Sequence, residues 1–473
     1  MKYLLLLIVI LYSSFVCAQS ITISEPLNLR SDVSYEVVGD LEGQVLLFRD
    51  QATSFKVTAF DQNMRQKWEK ELELDKRQPK VIGLFADKSE FVLFYYFRYK
   101  SKTLIKAHKY NAGANLIDSV TLKDMGYLFY TPNFELLRSE DRTKVLLFHL
   151  ERSEQINALS FDVQNMKLLW EKAIIPQDFS YYQDFRQILI DNNGDMHLVL
   201  ERDNLRHKRD KHRFEIITYF GKNDELLRYE VPMIDRLTYD VVFDFDNRNQ
   251  NLIGAGLYSE KNLGRADGYF YLSIPDRKPE SFRFAAHVFD ENFISTLLGK
   301  EEDKVNGGIP DVSVQEIVLR RDGGALIIAE RNRLLERQIG GGSRSVYDGR
   351  FAIDYYYDEL FILSVHPSGE PHWQTILHKK QYSQDDDGAY SSYFLFKTVA
   401  NLHFIFNDEI KYENTVSEYV LQGTGAFERN SLLSTANLQL RLRFRDALQI
   451  NSAEVIIPSE RRNRLRLVRM KYE

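Results

Sequence analysis

This sequence contains little cysteine and little proline. Its single cysteine, Cys17, lies near the N-terminus, and only 11 prolines are spread over 473 residues. The chain therefore cannot form an internal disulfide or a multi-cysteine metal site. Its net charge of −6 is small for this length, so overall charge gives no argument for nucleic-acid binding.

The sequence also lacks the short motifs that mark common catalytic sites. It contains neither G-x-S-x-G nor H-E-x-x-H, and its histidines are not spaced as zinc ligands. We therefore assign no catalytic residue, no cofactor and no metal. The carboxylates at 385–387 could bind Ca²⁺, but their spacing does not match an EF-hand loop, and Lys379 and Lys380 can neutralise them.

Long hydrophobic runs are missing except at the N-terminus. Lys2 precedes an apolar run from Leu4 to Leu11 and the segment "FVCAQS", which is the layout of a secretory signal peptide. We predict a signal peptide at 1–18, cleavage after Ala18 and a secreted or periplasmic mature chain, 19–473. A membrane anchor is the alternative, but the run is shorter than the ~20 residues of a spanning helix. Lipidation at Cys17 is a second alternative, although Val16 stands where lipoprotein signals usually carry a small residue.

What the sequence does contain is a repeat. "FDQNMRQKWEKEL" at 60–72 and "FDVQNMKLLWEKAI" at 161–174 both read as two strands around a tight turn. Trp68 and Trp170 are 102 residues apart, which equals two units of about 51, and eight pairs of apolar strands recur along the chain. Four short strands per unit indicate an all-β β-propeller, because each blade must bury both faces against neighbouring blades.

Eight blades are favoured, with seven as the alternative and a β-sandwich array as the main other architecture. The last unit supplies only two clear strands, "AEVIIP" and "RLRLVRMKY". The N-terminal segment "ITISEPL" at 21–27 is a strand without a unit of its own. We therefore predict a single domain, 19–473, that is closed by an N-terminal strand completing the C-terminal blade.

Several segments resemble those of a known family. "VHPSGEPHW" at 365–373 partly matches the D-x-x-(T/S)-G-x-x-x-W repeat of quinoprotein-like propellers, without its Asp. The chain is thus similar to a divergent secreted quinoprotein-like (PQQ-like, WD40-like) propeller, and to exported bacterial propellers with a "K-x-Q-x-S-x-x-D-x-G-x-Y-x-S" segment, here 379–392. The family includes redox enzymes and non-catalytic assembly factors, so the resemblance implies the fold and not the function.

The long connections point to one face of a propeller, where second-to-third and blade-to-blade connections meet. The basic loop, 201–214, is one such connection, and the alternative to an anionic partner is a solvated loop in which His207 and His212 are exposed. Insertions are predicted at 290–311, where Asp290 can cap a short helix, and at 332–350, a glycine-rich hairpin. Candidate partner-binding residues are Lys379, Gln381, Asp385, Asp387, Tyr390, Arg206, Lys208, Arg209, Tyr355 and Tyr357.

Two functions remain open on this sequence. The first is a non-catalytic, monomeric binding or scaffold module for a protein or glycan at the cell envelope, with no nucleic-acid partner and no transmembrane segment in the mature chain. The second is a propeller enzyme, a hydrolase, lyase or quinoprotein, with an active site at the channel mouth. Carboxylates and histidine within ~4 Å at that mouth would favour the enzyme. An exposed apolar and aromatic patch would favour binding.

Overall fold

The two related hairpins of the sequence have the same local conformation. The computed structural model describes residues 19–75, 78–261, 263–301, 307–339, 350–410 and 415–472. In both hairpins a β-bulge follows the residue that faces the tryptophan, at Ala59 and at Ser160. Met64 and Met166 have positive φ angles of 58° and 48° in the two turns. The repeated sequence therefore encodes one repeated turn and register.

Some predicted features fall outside the described residues. They are the signal peptide with its cleavage after Ala18, the glycines 340–342, and parts of the two insertions. Within the described residues, no helix is both long enough and apolar enough to span a membrane.

The described strands form eight antiparallel blades of four strands, and the fold is a β-propeller. The chain divides into two compact units, 1–72 with 386–423 and 427–473, and 73–385 with 424–426. Strands of the first blade are β3 (Ser34–Leu41), β4 (Gln44–Asp50), β5 (Phe55–Phe60) and β6 (Gln66–Leu72), and they belong to the first unit.

The second unit contains blades two to six, whose strands follow each other in chain order. The strands of blades two to four are β7 (Lys80–Ala86), β8 (Glu90–Tyr99), β9 (Lys102–Asn111), β10 (Leu116–Asp124), β11 (Phe134–Arg138), β12 (Lys144–Glu151), β13 (Gln155–Asp162), β14 (Lys167–Ile174), β15 (Phe185–Ile190), β16 (Met196–Arg202), β17 (Arg213–Phe220) and β18 (Glu225–Pro232). Those of blades five and six are β19 (Leu237–Asp246), β20 (Asn251–Ser259), β21 (Gly268–Pro275), β22 (Arg283–Val288), β23 (Val312–Leu319), β24 (Ala325–Ile339), β25 (Arg350–Val365) and β26 (Pro371–Leu377), with β27 (Gln381–Gln384) added to β25.

Short helices connect some of these strands. They are α1 (Tyr181–Asp184), α2 (Glu291–Leu298) and the 3₁₀ turns Arg206–Lys211, Pro279–Ser281, Ala436–Leu438 and Phe444–Asp446. The predicted cap of α2 is confirmed, because the Asp290 side chain accepts a hydrogen bond of 2.7 Å from the Phe293 N–H. Phe293 and Leu297 are buried in an apolar cluster with strands of blades five and six, so α2 closes over that core.

The first unit also contains blades seven and eight. Their strands are β28 (Phe394–Lys397), β29 (Asn401–Asn407), β30 (Thr415–Gln422), β31 (Phe427–Ser434), β32 (Leu448–Asn451), β33 (Glu454–Arg461) and β34 (Arg464–Lys471), together with β1 (Ser20–Ile23) and β2 (Leu27–Asn28). Both N-terminal strands pair with β34, so the predicted closure of the C-terminal blade by the N-terminal segment is confirmed. This pairing ties the two ends of the chain into one sheet.

Candidate binding site

The second and third strands of blade six are much longer than the blade needs. β24 and β25 stay paired from Ala325 with Val365 out to Ile339 with Arg350, whereas β23 ends opposite Arg331 and β26 ends opposite Leu360. Beyond those points β27 pairs with β25 instead. We call this three-stranded extension, residues 331–339, 350–359 and 381–384, the blade-six arm.

A buried ion pair stabilises the base of the arm. Lys379 Nζ lies 2.5 Å from Glu330 Oε1, and both side chains are fully buried. The ammonium also donates to the Tyr357 carbonyl and to Gln381 Oε1, each at 3.1 Å. Burial lowers the pKa of Lys379, and the Glu330 carboxylate opposes that shift. Losing either charge would leave its partner buried without compensation.

One face of the arm is held by polar and aromatic contacts across all three strands. Tyr356 lies between Arg333, whose guanidinium is 4.7 Å from the ring centre, and Tyr382, whose ring centre is 5.1 Å away. Arg337 forms an ion pair with Asp354 and holds the pKa of that carboxyl below its usual range. The Tyr382 hydroxyl donates to the same carboxylate at 2.9 Å. These cross-strand contacts stabilise the extended hairpin.

The other face changes from buried to exposed along the arm. Tyr355 is buried near the base, as is Gln381. Leu334, directly opposite Tyr355 on β24, is 58% exposed, and Phe351, further out on β25, is 59% exposed. Large apolar side chains that are exposed on a strand are typical of a contact surface for another molecule.

The outer edge of β24 offers a second means of binding. From 333 to 339 β24 pairs on only one side with a described strand, β25. An edge strand can accept a further strand through its backbone N–H and C=O groups. Charged residues are the usual protection against indiscriminate pairing, and this edge carries Arg333, Glu336 and Arg337.

The structure separates the predicted residues of segment 378–393. Lys379 and Gln381 are internal to the arm base, and Asp385 accepts a hydrogen bond of 2.8 Å from the Ile353 N–H. Asp387 lies exposed in a turn with a φ of 53°. Tyr390 is buried in the first unit, where its hydroxyl donates to the Glu460 carbonyl at 3.1 Å. The role of these residues in partner binding stays a prediction.

The two predicted tyrosines of β25 lie on the same face of the arm, the face that also carries Leu334 and Phe351. Tyr355 is buried, and Tyr357 is half-buried with the Lys379 ammonium 5.9 Å from its ring centre. Tyr356 lies on the opposite face, as strand alternation predicts. Leu334 and Phe351 are not among the residues predicted from the sequence. The signal was available in "RNRLLER", where strand character continues past the normal length of a blade strand.

Most of the basic side chains in the basic loop have partners within the protein. Lys208 Nζ lies 2.7 Å from Asp203 Oδ1, and Arg209 donates to the Glu260 carbonyl. Arg206 is exposed. The expectation that His212 is solvated is wrong, because it is 1% exposed and its Nδ1 lies 2.6 Å from the Arg236 carbonyl oxygen. The sequence could not show this, since the acceptor comes from the next blade-to-blade connection.

A buried cluster of carboxylates surrounds His197 between blades four and five. His197 lies 4.0 Å from Asp191 and 3.9 Å from Asp276. Burial, followed by the nearby Asp191 charge, raises the pKa of Asp195 to about 6. All four side chains are buried, so a substrate cannot reach them without local opening. Among the described residues, no group of three or more such side chains has the geometry of a metal site.

The first strands of blades three, four and five line a cavity of about 480 Å³. Its wall includes the charged residues Glu135, Arg138, Glu140, Arg186 and Asp244. Arg186 forms an ion pair with Asp240, and Arg138 donates to the Leu84 carbonyl. These two arginines therefore have structural partners, and the His197 cluster does not line the cavity.

Comparisons with known proteins identify no family for this chain. Neither a protein family nor a curated protein matches its sequence. A protein of unknown function from Bacteroides caccae is similar in structure, with 14% identity, a TM-score of 0.29, and coverage of 72% of this chain and 93% of that protein. Sqt1 from Saccharomyces cerevisiae is similar at 9% identity and a TM-score of 0.45, covering 95% and 98%.

A prolyl endopeptidase is also similar, at 8% identity and a TM-score of 0.40. The match covers 94% of this chain but only 55% of that enzyme, so the chain spans about half its length. These identities and TM-scores carry no argument for function. The assignment as a propeller rests on the order of strands in the eight sheets.

Proposed function

We propose that this chain is an exported, non-catalytic propeller that binds a protein partner at the cell envelope through the blade-six arm. The observation that carries the proposal is the combination of exposed Leu334 and Phe351 with a strand edge that has a described partner strand on one side only. The signal-like segment 1–18 supports export. A protein is a better fit than a glycan, because apolar side chains and backbone edges are what another polypeptide can bury and pair with.

The arm is suited to this role because contacts within the chain hold its described strands together. The buried pair Lys379–Glu330 anchors its base, and the contacts of Tyr356 and Asp354 join its strands. A preformed surface loses less conformational entropy on association than a loop that must fold. Binding energy would then concentrate on the few exposed apolar side chains, as in other interfaces.

The enzyme alternative has less support. The His197 cluster brings carboxylates within about 4 Å of an imidazole, which is longer than the hydrogen-bond distance that proton transfer needs, and it is buried between two blades. The cavity between the first strands has charged walls, yet its arginines are engaged with Asp240 and the Leu84 carbonyl. The exposed arm therefore supports binding more strongly than the His197 cluster or the cavity supports catalysis.

The test is a capture experiment with the cell-envelope fraction of the source organism. Baits would be residues 19–473, the double variant Leu334→Ser/Phe351→Ser, and the control Tyr182→Ser/Val399→Ser. The control removes two apolar side chains that are 88% and 93% exposed and lie outside the arm. We expect one protein to be retained by the unchanged chain and the control but depleted at least tenfold with the arm variant.

The captured protein would then be purified and its Kd for each bait measured directly. A loss of affinity confined to the arm variant would support the proposal. Equal retention by all three baits, or no specific retention by the unchanged chain, would show that the arm is not the binding surface.

A further inference from the structure

A second feature belongs to the first unit, whereas the arm belongs to the second. β33 and β34 are joined by a tight turn in which Arg462 and Asn463 have φ angles of 52° and 59°. Two successive positive φ values are typical of a type I′ turn, which matches the twist of the flanking strands. Arg461 and Arg464 face each other across this turn. The sequence "RRNR" thus places three arginines at the tip of one hairpin.

The hairpin forms one wall of a cavity of about 360 Å³. Two other segments complete it, the connection after β2 and the connection between β31 and β32. We call this cavity the arginine pocket, and its lining residues are Arg30, Gln439, Ser459, Arg461, Arg462, Arg464 and Arg466. Its volume lies at the lower end of the roughly 300–1,000 Å³ of small-molecule sites.

The lining carries five positive charges and no carboxylate among the described residues. Carboxylates near the pocket are already paired with other arginines. Arg443 lies 2.8 Å from Glu460 and also pairs with Asp446, and Arg441 lies 3.3 Å from Asp386. The pocket therefore has an excess of positive charge that its surroundings do not balance.

Part of the lining is held in place. The Ser459 hydroxyl oxygen is buried and accepts a hydrogen bond of 2.8 Å from the Arg441 N–H. Arg466 donates to the Leu438 carbonyl at 3.1 Å. The other four guanidinium groups, those of Arg30, Arg461, Arg462 and Arg464, form no ion pair with a carboxylate of the described residues. Like charges that line one cavity repel one another, and a bound anion would reduce that repulsion.

We propose that the arginine pocket binds a phosphoryl-bearing anion with at least two negative charges. A guanidinium presents a planar pair of N–H groups that matches two oxygens of a phosphoryl group, and several such groups can surround one ligand. The chemistry is shared by soluble phosphorylated compounds and by anionic lipid headgroups. This inference is independent of the proposed function, because the pocket and the arm belong to different units.

The test uses the full mature chain, 19–473, and inorganic pyrophosphate as the probe in isothermal titration calorimetry. Sodium chloride at matched ionic strength would control for general screening. We expect pyrophosphate to bind with a micromolar Kd and the double variant Arg462→Ala/Arg464→Ala to bind at least tenfold more weakly. Both residues are exposed at a turn, so the variant is expected to fold, which circular dichroism would check.

A matched control removes two basic residues from the basic loop, Lys208→Ala/Arg209→Ala, and should leave the Kd unchanged. Arg462→Lys/Arg464→Lys keeps the charge but loses the planar fork, and we expect intermediate affinity. No binding beyond the chloride control would overturn the proposal. Equal binding by the alanine variant and the unchanged chain would also overturn it.

Flotation with vesicles distinguishes the two sources of the phosphoryl group. Vesicles of phosphatidylglycerol and phosphatidylcholine would be compared with phosphatidylcholine alone. Pyrophosphate binding without flotation would identify a soluble ligand, whereas pyrophosphate binding together with flotation that Arg462→Ala/Arg464→Ala abolishes would identify a headgroup. Flotation without pyrophosphate binding would contradict the pocket and indicate a diffuse surface attraction.

Discussion

The basic loop and the arginine pocket are both rich in positive charge, but their surroundings differ. In the loop, Arg202, Lys208 and Arg213 each lie within about 3 Å of a carboxylate. In the pocket, the lining has five arginines and no described carboxylate. The comparison shows that a cluster of basic residues in the sequence does not by itself define an anion-binding site. What matters is whether the fold supplies neighbouring acids.

Arg202 provides the sharpest test of how far carboxylates balance the positive charge of the basic loop. It is buried, with Nε 2.8 Å from Glu215 and Nη1 2.8 Å from Asp184, and it also donates to two backbone carbonyls. We expect Arg202→Ala to lower the free energy of unfolding by about 3–5 kcal/mol, because two carboxylates lose their shared cation. Urea denaturation would measure it, with Arg464→Ala as the matched control. A loss below ~1 kcal/mol would show that water replaces the guanidinium.

The opposite end of the same blade carries an excess of negative charge. Burial and then Asp191 raise the pKa of Asp195 to about 6 in the folded protein, so ionising it costs stability. This penalty is absent at low pH, grows above about pH 4, and is complete above about pH 6. We therefore expect Asp195→Asn to stabilise the protein by roughly 1–2 kcal/mol at pH 7.5 and to have no effect near pH 4.

Thermal unfolding of Asp195→Asn and the unchanged chain across that pH range would check the sign. Asparagine can still accept the Gly221 N–H that Asp195 Oδ1 accepts at 2.8 Å, so the turn should be retained. The contradicting outcome would be that Asp195→Asn lowers the free energy of unfolding by the same amount at every pH. That result would mean that the favourable contacts of the carboxylate outweigh the cost of its charge at this position.

When no anion is bound, the arginines of the arginine pocket should repel one another and destabilise the folded protein. We expect Arg462→Ala/Arg464→Ala to raise the free energy of unfolding by about 0.5 kcal/mol in low-salt, phosphate-free buffer. The gain should shrink as sodium chloride is added, because salt screens exposed charges. Chemical denaturation at two ionic strengths would measure it. A loss of stability at low salt would indicate that these arginines make stabilising contacts.

The exposed part of the basic loop should show the smallest effect. Lys208 and Asp203 form a pair in which both side chains are partly exposed. Such surface pairs contribute about 0–1 kcal/mol, so we expect Lys208→Ala to change the free energy of unfolding by less than about 0.5 kcal/mol. Denaturation under the conditions used for Arg202→Ala would compare the two directly. A change as large as that of Arg202→Ala would place Lys208 in the buried network.

The fold was predictable from the sequence because its signals are local. The turn of "FDVQNMKLLW" and the spacing of Trp68 and Trp170 depend on a few adjacent residues and a constant repeat length. The sequence also indicated that 332–350 forms a hairpin and that Asp290 caps a helix. Lys379 was different, because nothing nearby in the sequence shows that Glu330 lies beside it at the arm base.

The sequence by itself determined the repeated hairpins of the blades, since alternation and turn chemistry act between close neighbours. The closure by the N-terminal strand was inferred from a last unit that shows only two clear strands of its own, and the structure pairs residues 20–23 with 468–471. Only the tertiary structure decided which charges are compensated. Arg30 and Arg464 come from opposite ends of the chain yet line one pocket, whereas Arg202 meets Asp184 and Glu215 across separate elements. Electrostatic energy depends on distances in space, and those exist only after the blades have packed.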